Sequence, residues 1–152
     1  MTGSQAERDL ATALDACGWT VMRAPASGAG TGRDMPDVLA GRSERVGVGV
    51  DERYRSNALA IELKTTSATT AYVDAAEVTA LERFAHDFGA TPLLAAKFKG
   101  AGTRTRFWVV PTTEARMTNG GRFGLPEASI EERAVKVVLP ATETMDAEVR
   151  DV

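Results

Sequence analysis

Residues 58–65 read ALAIELKT, and no other stretch limits the fold so sharply. A strand turns successive side chains to opposite faces. Leu59, Ile61 and Leu63 therefore point one way, and Ala60, Glu62 and Lys64 the other. The opening residues are apolar on both faces, as in a strand buried inside a sheet with layers on either side. The segment then ends in two charges on one face, roughly 6.6 Å apart along the strand. Burying a carboxylate is costly unless it is paired or holds a metal.

The rest of the chain supplies the layers. Ser4 to Cys17 has Leu10, Ala13, Leu14 and Cys17 at helical spacing. Ser4 with Glu7 matches a capping box, and Gly18 sits where a helix ends. Trp19 to Arg23 alternates as a first strand, and Ala24 to Arg33 (APASGAGTGR) is a small-residue loop. Pro36 to Ala40 reads as a second strand. Gly41 to Asn57 holds seven charges and reads as a hairpin extension with a mobile tip, an insert at about 42–57. Asp74 caps a second helix that carries Val78, Leu81, Ala85 and Phe88 on one stripe and stops at Gly89. Pro92 to Phe98 and Thr105 to Val110 are two more strands, joined by the basic turn KGAGTR. After Pro111 the pattern weakens, and Ala134 to Leu139 is a candidate final strand. The expected order is αβββαββ: an α/β fold with a mixed central sheet, three strands in a meander and the later ones reached by a crossover.

At 152 residues the chain has the length of a single domain, 1–152. No apolar run approaches the ~18–20 residues of a membrane span. The opening MTGSQAERDL is polar, unlike a secretory leader, and with one cysteine, Cys17, a cytoplasmic location is the expectation. One histidine, His86, removes most Ser-His-Asp and His-rich metal chemistries. The glycines form neither a Walker A loop nor a GxGxxG turn, so no small-molecule cofactor is expected. Net charge is −3, but unevenly spread. Residues 97–122 carry Lys97, Lys99, Arg104, Arg106, Arg116 and Arg122 against Glu114 alone, while residues 126–152 form an acidic segment with seven acids and three bases. A local basic field is what steers a phosphate backbone.

Glu62 and Lys64 alone would most simply be a salt bridge at a strand end. Asp37, following Pro36, would by itself be a turn residue. Together they read differently, because a strand opening at Asp37 and pairing with the third strand brings two carboxylates together. Two hard oxygen donors suit Mg²⁺, which keeps several waters. A lysine beside them can hold the attacking water or stabilise charge on a phosphate.

Five short pieces extend this pattern: Glu7-Arg8 in the first helix, Arg23-Ala24-Pro25-Ala26-Ser27-Gly28, Pro36-Asp37, Ile61-Glu62-Leu63-Lys64, and Tyr72-Val73 before the second helix. In them the chain resembles the archaeal Holliday junction resolvases of the restriction-endonuclease-like, PD-(D/E)xK nuclease superfamily, from about Gln5 to Pro111. The resemblance implies that Asp37, Glu62 and Glu7 face a divalent metal, Mg²⁺ with Mn²⁺ as a substitute. It implies that Lys64 assists the water and that Ser27 lies near the scissile phosphate. Arg8 and Arg23 would contact DNA, and the basic turn adds Lys97, Lys99, Arg104 and Arg106. The implied function is a structure-specific endonuclease that nicks four-way DNA junctions symmetrically as a homodimer, in recombination and repair. The alternatives are a related nuclease acting on duplex DNA, or a DNA-binding protein that keeps the fold without cleavage. The chain departs from the family pattern in its longer segment between Asp37 and Glu62, in Glu77 where the family often has Gln, and in lacking a lysine-rich N-terminal tail.

The remaining residues read plainly. Cys17 is a core residue, and His86 a surface one. Phe107 and Trp108 alternate in one strand, so one should pack inside and the other face outward toward a base or a second subunit.

Overall fold

The structure is a computed structural model that describes residues 2–24, 35–99, 106–118, 120–126 and 135–138. Helix α1 (Thr2–Ala16) precedes β1 (Thr20–Arg23), β2 (Val38–Val46) and β3 (Arg53–Thr66). Then come β4 (Thr70–Asp74), α2 (Ala75–Phe88), β5 (Thr91–Phe98) and β6 (Arg106–Pro111). Three short strands close the described chain: β7 (Arg116–Met117), β8 (Arg122–Pro126) and β9 (Val135–Val138). The main sheet has the order β1-β2-β3-β5-β6-β9, and a smaller one the order β4-β8-β7.

The first three strands form the expected antiparallel meander, and β3 pairs with β5 in parallel after the α2 crossover. The final strand expected near Ala134 is β9, antiparallel to β6. Strand β4 and the small sheet go beyond the expected order. Their strands are short, and β8 pairs with β4 across some fifty residues of sequence, a distance over which local periodicity carries no information.

Alternation along the central strands separates two apolar layers. Leu59, Ile61, Leu93, Ala95, Phe107 and Val109 meet Leu10, Ala13 and Leu14 of α1. On the opposite face Ala60, Leu94, Ala96, Trp108 and Val110 meet Val78, Leu81 and Ala85 of α2, joined by Ala71, Val73 and Leu125 of the small sheet. The outward aromatic expected in β6 is therefore absent: Phe107 is 0% and Trp108 5% exposed. Both are buried because the main sheet is covered on both faces there, one by α1 and the other by α2 and the small sheet. Cys17 packs partly buried against the α1 layer, and His86 is exposed.

Helix α1 begins at Thr2, which puts Ser4 inside the helix rather than at its cap. Ser4 therefore does not stand at the N-cap position that the expected capping box with Glu7 requires. Helix α2 ends as expected at Gly89, whose φ of 84° is the left-handed conformation that glycine adopts without penalty. The charged insert is paired ladder almost to its tip, with Val46 opposite Arg53. Gly47 turns the chain there at φ 87°, and a Cβ at this position would collide with the carbonyl of Asp51. No helix among the described residues is long and apolar enough to cross a membrane.

Candidate active site

The register of β2 against β3 builds the centre of the site. Val38 pairs with Ile61, so Asp37, one residue earlier, stands opposite Glu62. Asp37 shares its face of the sheet with Leu39 and Ala60, the α2 side, as do Glu62 and Lys64. The backbone N–H of Leu63 donates to Asp37 Oδ2 at 2.7 Å. That bond fixes the carboxyl against β3. The sequence expectation that two carboxylates converge at this point is met.

Electrostatics mark the pair as unusual. Burial, and then the charge of Asp37, push Glu62 up to about 8. Burial raises Asp37 as well, against the opposing pull of the Leu63 N–H and a hydrogen bond from Glu62. Both shifts run toward the protonated form, since two carboxylates this close disfavour each other's charge. Like charges in a partly desolvated place are what a bound dication would neutralise. Perturbed carboxyls of this kind cluster at functional sites.

Lys64 Nζ lies 2.6 Å from Glu77 Oε1 on α2. Burial works against the ammonium, but the bond and charge of Glu77 outweigh it and hold Lys64 above its ordinary value. Glu77 is itself drawn below the usual carboxylate range. Burial opposes this, but the Lys64 bond and the Asp74 N–H prevail. Sequence reading noted Glu77 only as a departure from the family pattern. The available signal was its place three residues after the cap Asp74, where a glutamate closes a capping box.

Glu7 comes from α1 and bears on the site from a distance. Burial, and then the charge of Asp37, raise its pKa, while Arg23 and Arg8 lower it. Its carboxylate lies 3.9 Å from Arg23. Among the described residues no three His, Cys, Asp or Glu side chains converge into a ready-made cation cage. Asp37 and Glu62 thus form the close pair, with Glu7 at its margin. Two carboxylates suffice for Mg²⁺, which takes one or two from the protein and the rest from water and phosphate.

The expected DNA contacts fall into three groups. Arg8 and Lys99 are exposed, and Arg23 is exposed beside Glu7. Lys97 is drawn inward: its ammonium lies 3.4 Å from Asp9 of α1 and 5.7 Å from the Phe107 ring centroid, with the side chain 17% exposed. Arg106 opens β6 opposite Val138. Ser27 and Arg104 lie outside the described residues. The two ends of the Ser27 loop meet at the site, since Ala24 N–H donates to the Asp37 carbonyl at 3.0 Å.

The fold has a solved counterpart in Hjc of Archaeoglobus fulgidus, a Holliday junction resolvase from an archaeal hyperthermophile. The TM-score is 0.64 at 28% identity, over 86% of this chain and 93% of that one. The family model of archaeal Holliday junction resolvases (Hjc) matches residues 1–135, which span α1, the facing carboxylates, Lys64 and the main sheet as far as β9. A match over that length, with the paired acids and lysine in register, makes this chain a member of the archaeal Holliday junction resolvase family.

Proposed function

We propose that the protein cuts four-way DNA junctions by metal-dependent phosphodiester hydrolysis. The observation that carries this is the half-buried Asp37–Glu62 pair, set face to face by the β2–β3 register beside Lys64, in a member of a resolvase family. Asp37 and Glu62 would hold Mg²⁺, with Mn²⁺ as a substitute. When bound, the ion supplies a water of lowered pKa and neutralises charge on the phosphate. Lys64 presents an ammonium on the same sheet face, where it stabilises negative charge growing on the phosphate oxygens. Glu7, near enough to feel the charge of Asp37, adds to the negative field that attracts the ion. Ser27, whose role by family resemblance is near the scissile phosphate, lies in the sequence between Ala24 and Asp37.

Arg8, Arg23, Lys99, Arg104 and Arg106 would bind phosphates, and recognition rests on backbone shape rather than base edges. Lys97 serves first to tie α1 to the sheet through Asp9. A junction offers two strands to cut symmetrically, and a two-fold homodimer matches that symmetry. Phe88, 56% exposed and stacked on Phe84, gives the end of α2 an apolar surface that such a contact would cover. The protein would act where the genome is, in the cytoplasm.

The test is incubation with a synthetic four-way junction and with a linear duplex of matched sequence, each with and without Mg²⁺. Paired nicks in the junction alone, only with Mg²⁺, are expected. Equal cleavage of the duplex would favour a general nuclease. Binding without cleavage in any divalent metal would leave a DNA-binding protein. Binding should weaken steeply with salt despite the net charge of −3, at a log–log slope of about −0.9 per neutralised phosphate.

A further inference from the structure

Lys64 has a flexible stem and three donors, and nothing in β3 itself decides where its ammonium sits. Two attractions compete for it. Asp37 and Glu62 both act favourably on its charge from the same face of the sheet. Glu77 holds it at 2.6 Å from Oε1, close enough to the pair that its own charge also reaches Asp37 and Glu62. The second oxygen of Glu77 is occupied too: the backbone N–H of Asp74 donates to Oε2 at 3.0 Å. Glu77 is thus anchored to the start of α2 by one oxygen and grips the lysine with the other. A carboxylate offers two acceptor oxygens for these two tasks, and an amide offers only one.

We propose that Glu77 is a positioning residue that holds the Lys64 ammonium off the Asp37–Glu62 carboxylates, so that their oxygens stay available to the divalent cation. Released from Glu77, the lysine would be left to the attraction of Glu62 and Asp37, the other charges that act on it, and would compete with the metal there. This inference rests on the nuclease reading of the site, but its central observable is metal affinity.

The experiment measures Mg²⁺ affinity by calorimetry, together with single-turnover junction cleavage and thermal melting. The proteins are the wild type, Glu77→Ala, Glu77→Gln, Lys64→Met, and the double variant Glu77→Ala with Lys64→Met. Glu77→Ala should weaken Mg²⁺ binding about fivefold or more, as expected for a cation meeting a nearby unit charge. It should slow cleavage about tenfold, with junction binding within about twofold because the phosphate contacts lie elsewhere. In the double variant, Mg²⁺ affinity should return to the Lys64→Met value, since the competitor is gone. Glu77→Gln can keep the Asp74 bond and release the lysine, so it repeats the effect in a protein that retains its helix cap. Unchanged Mg²⁺ affinity and rate in Glu77→Ala and Glu77→Gln would reduce Glu77 to a helix cap and overturn the proposal. Persistent loss of affinity in the double variant would also overturn it, because Glu77 would then face the cation directly. If the wild type cleaves no junction and the affinity pattern still appears, the nuclease reading fails and the positioning role stands.

Discussion

Strands β2 and β3 carry charge at both ends of one antiparallel ladder, and the two ends behave in opposite ways. At the hairpin end Arg55 meets Glu44 at 2.6 Å and Arg45 meets Glu52 at 2.6 Å, opposite charges whose arginines are 59% and 66% exposed. At the other end two like charges, Asp37 and Glu62, face each other in a partly buried place. The strand geometry is the same, and solvent and pairing differ. Balanced ion pairs in water contribute ~0–1 kcal/mol and mainly keep the arm soluble. Unbalanced carboxylates out of water cost stability, and a fold keeps them where a ligand compensates.

Substitutions at each end sharpen the contrast, beginning with the largest effect. Asp37→Asn should reduce cleavage about a thousandfold or more, ~4 kcal/mol of transition-state stabilisation. It should leave junction binding intact. The amide oxygen can still accept from Leu63 N–H, so the ladder survives. Loss of binding in a folded Asp37→Asn protein would contradict the separation of chemistry from phosphate contact.

The next effect is on stability against pH in metal-free protein. Glu62 sits at about 8 in the folded state against 4.5 ordinarily. A raised carboxyl takes up its proton more readily in the native state. Its stabilising contribution is complete below pH 4.5 and is lost as pH rises through about 8. Asp37, also raised, acts in the same direction. Unfolding free energy should fall by on the order of 2–4 kcal/mol across that window, with Mg²⁺ restoring it at the alkaline end. Glu62→Gln should flatten the slope, as read from denaturant midpoints at pH 5 and pH 8. An equally steep slope in Glu62→Gln would assign the titration to other groups.

Glu7→Gln comes third. With Ser4 inside α1 the substitution removes no cap, so stability should hold. A supporting role beside Asp37 predicts a loss of at least tenfold in cleavage, ~1.4 kcal/mol. Wild-type cleavage by a stable Glu7→Gln protein would confine Glu7 to its contact with Arg23. The smallest effect belongs to the hairpin arm. Arg55→Ala should change stability by only ~0.2–1 kcal/mol and leave cleavage unchanged, measured by melting and by the junction assay. A large loss of cleavage would show that the arm takes part in substrate binding.

Much of this was legible from local pattern. The alternation of ALAIELKT announces a strand covered on both faces, and Pro36-Asp37 opens its neighbour. Antiparallel pairing of two adjacent segments then leaves Asp37 little choice but to meet Glu62. The apolar stripe of α2 and its glycine stop are equally local. Where the reading went astray, a longer relation had decided the outcome. Ser4 and Glu7 have the spacing of a capping box, but the helix starts earlier. Lys97 stands in a basic run, yet Asp9, 88 residues earlier in the chain, draws it inward.

The amino-acid sequence by itself determined the two apolar faces of β3, the meander that seats Asp37 beside Glu62, and the residue types a nuclease needs. Those follow from a side-chain period of two and from neighbours close along the chain. Tertiary structure alone decided that Trp108 is covered as fully as Phe107, because the α2 layer and a small sheet assembled from distant segments close over it. It alone decided that Lys64 turns to Glu77. That contact exists only once the parallel crossover lays the first turn of α2 beside the end of β3, and no spacing along the chain specifies how a helix docks on a sheet.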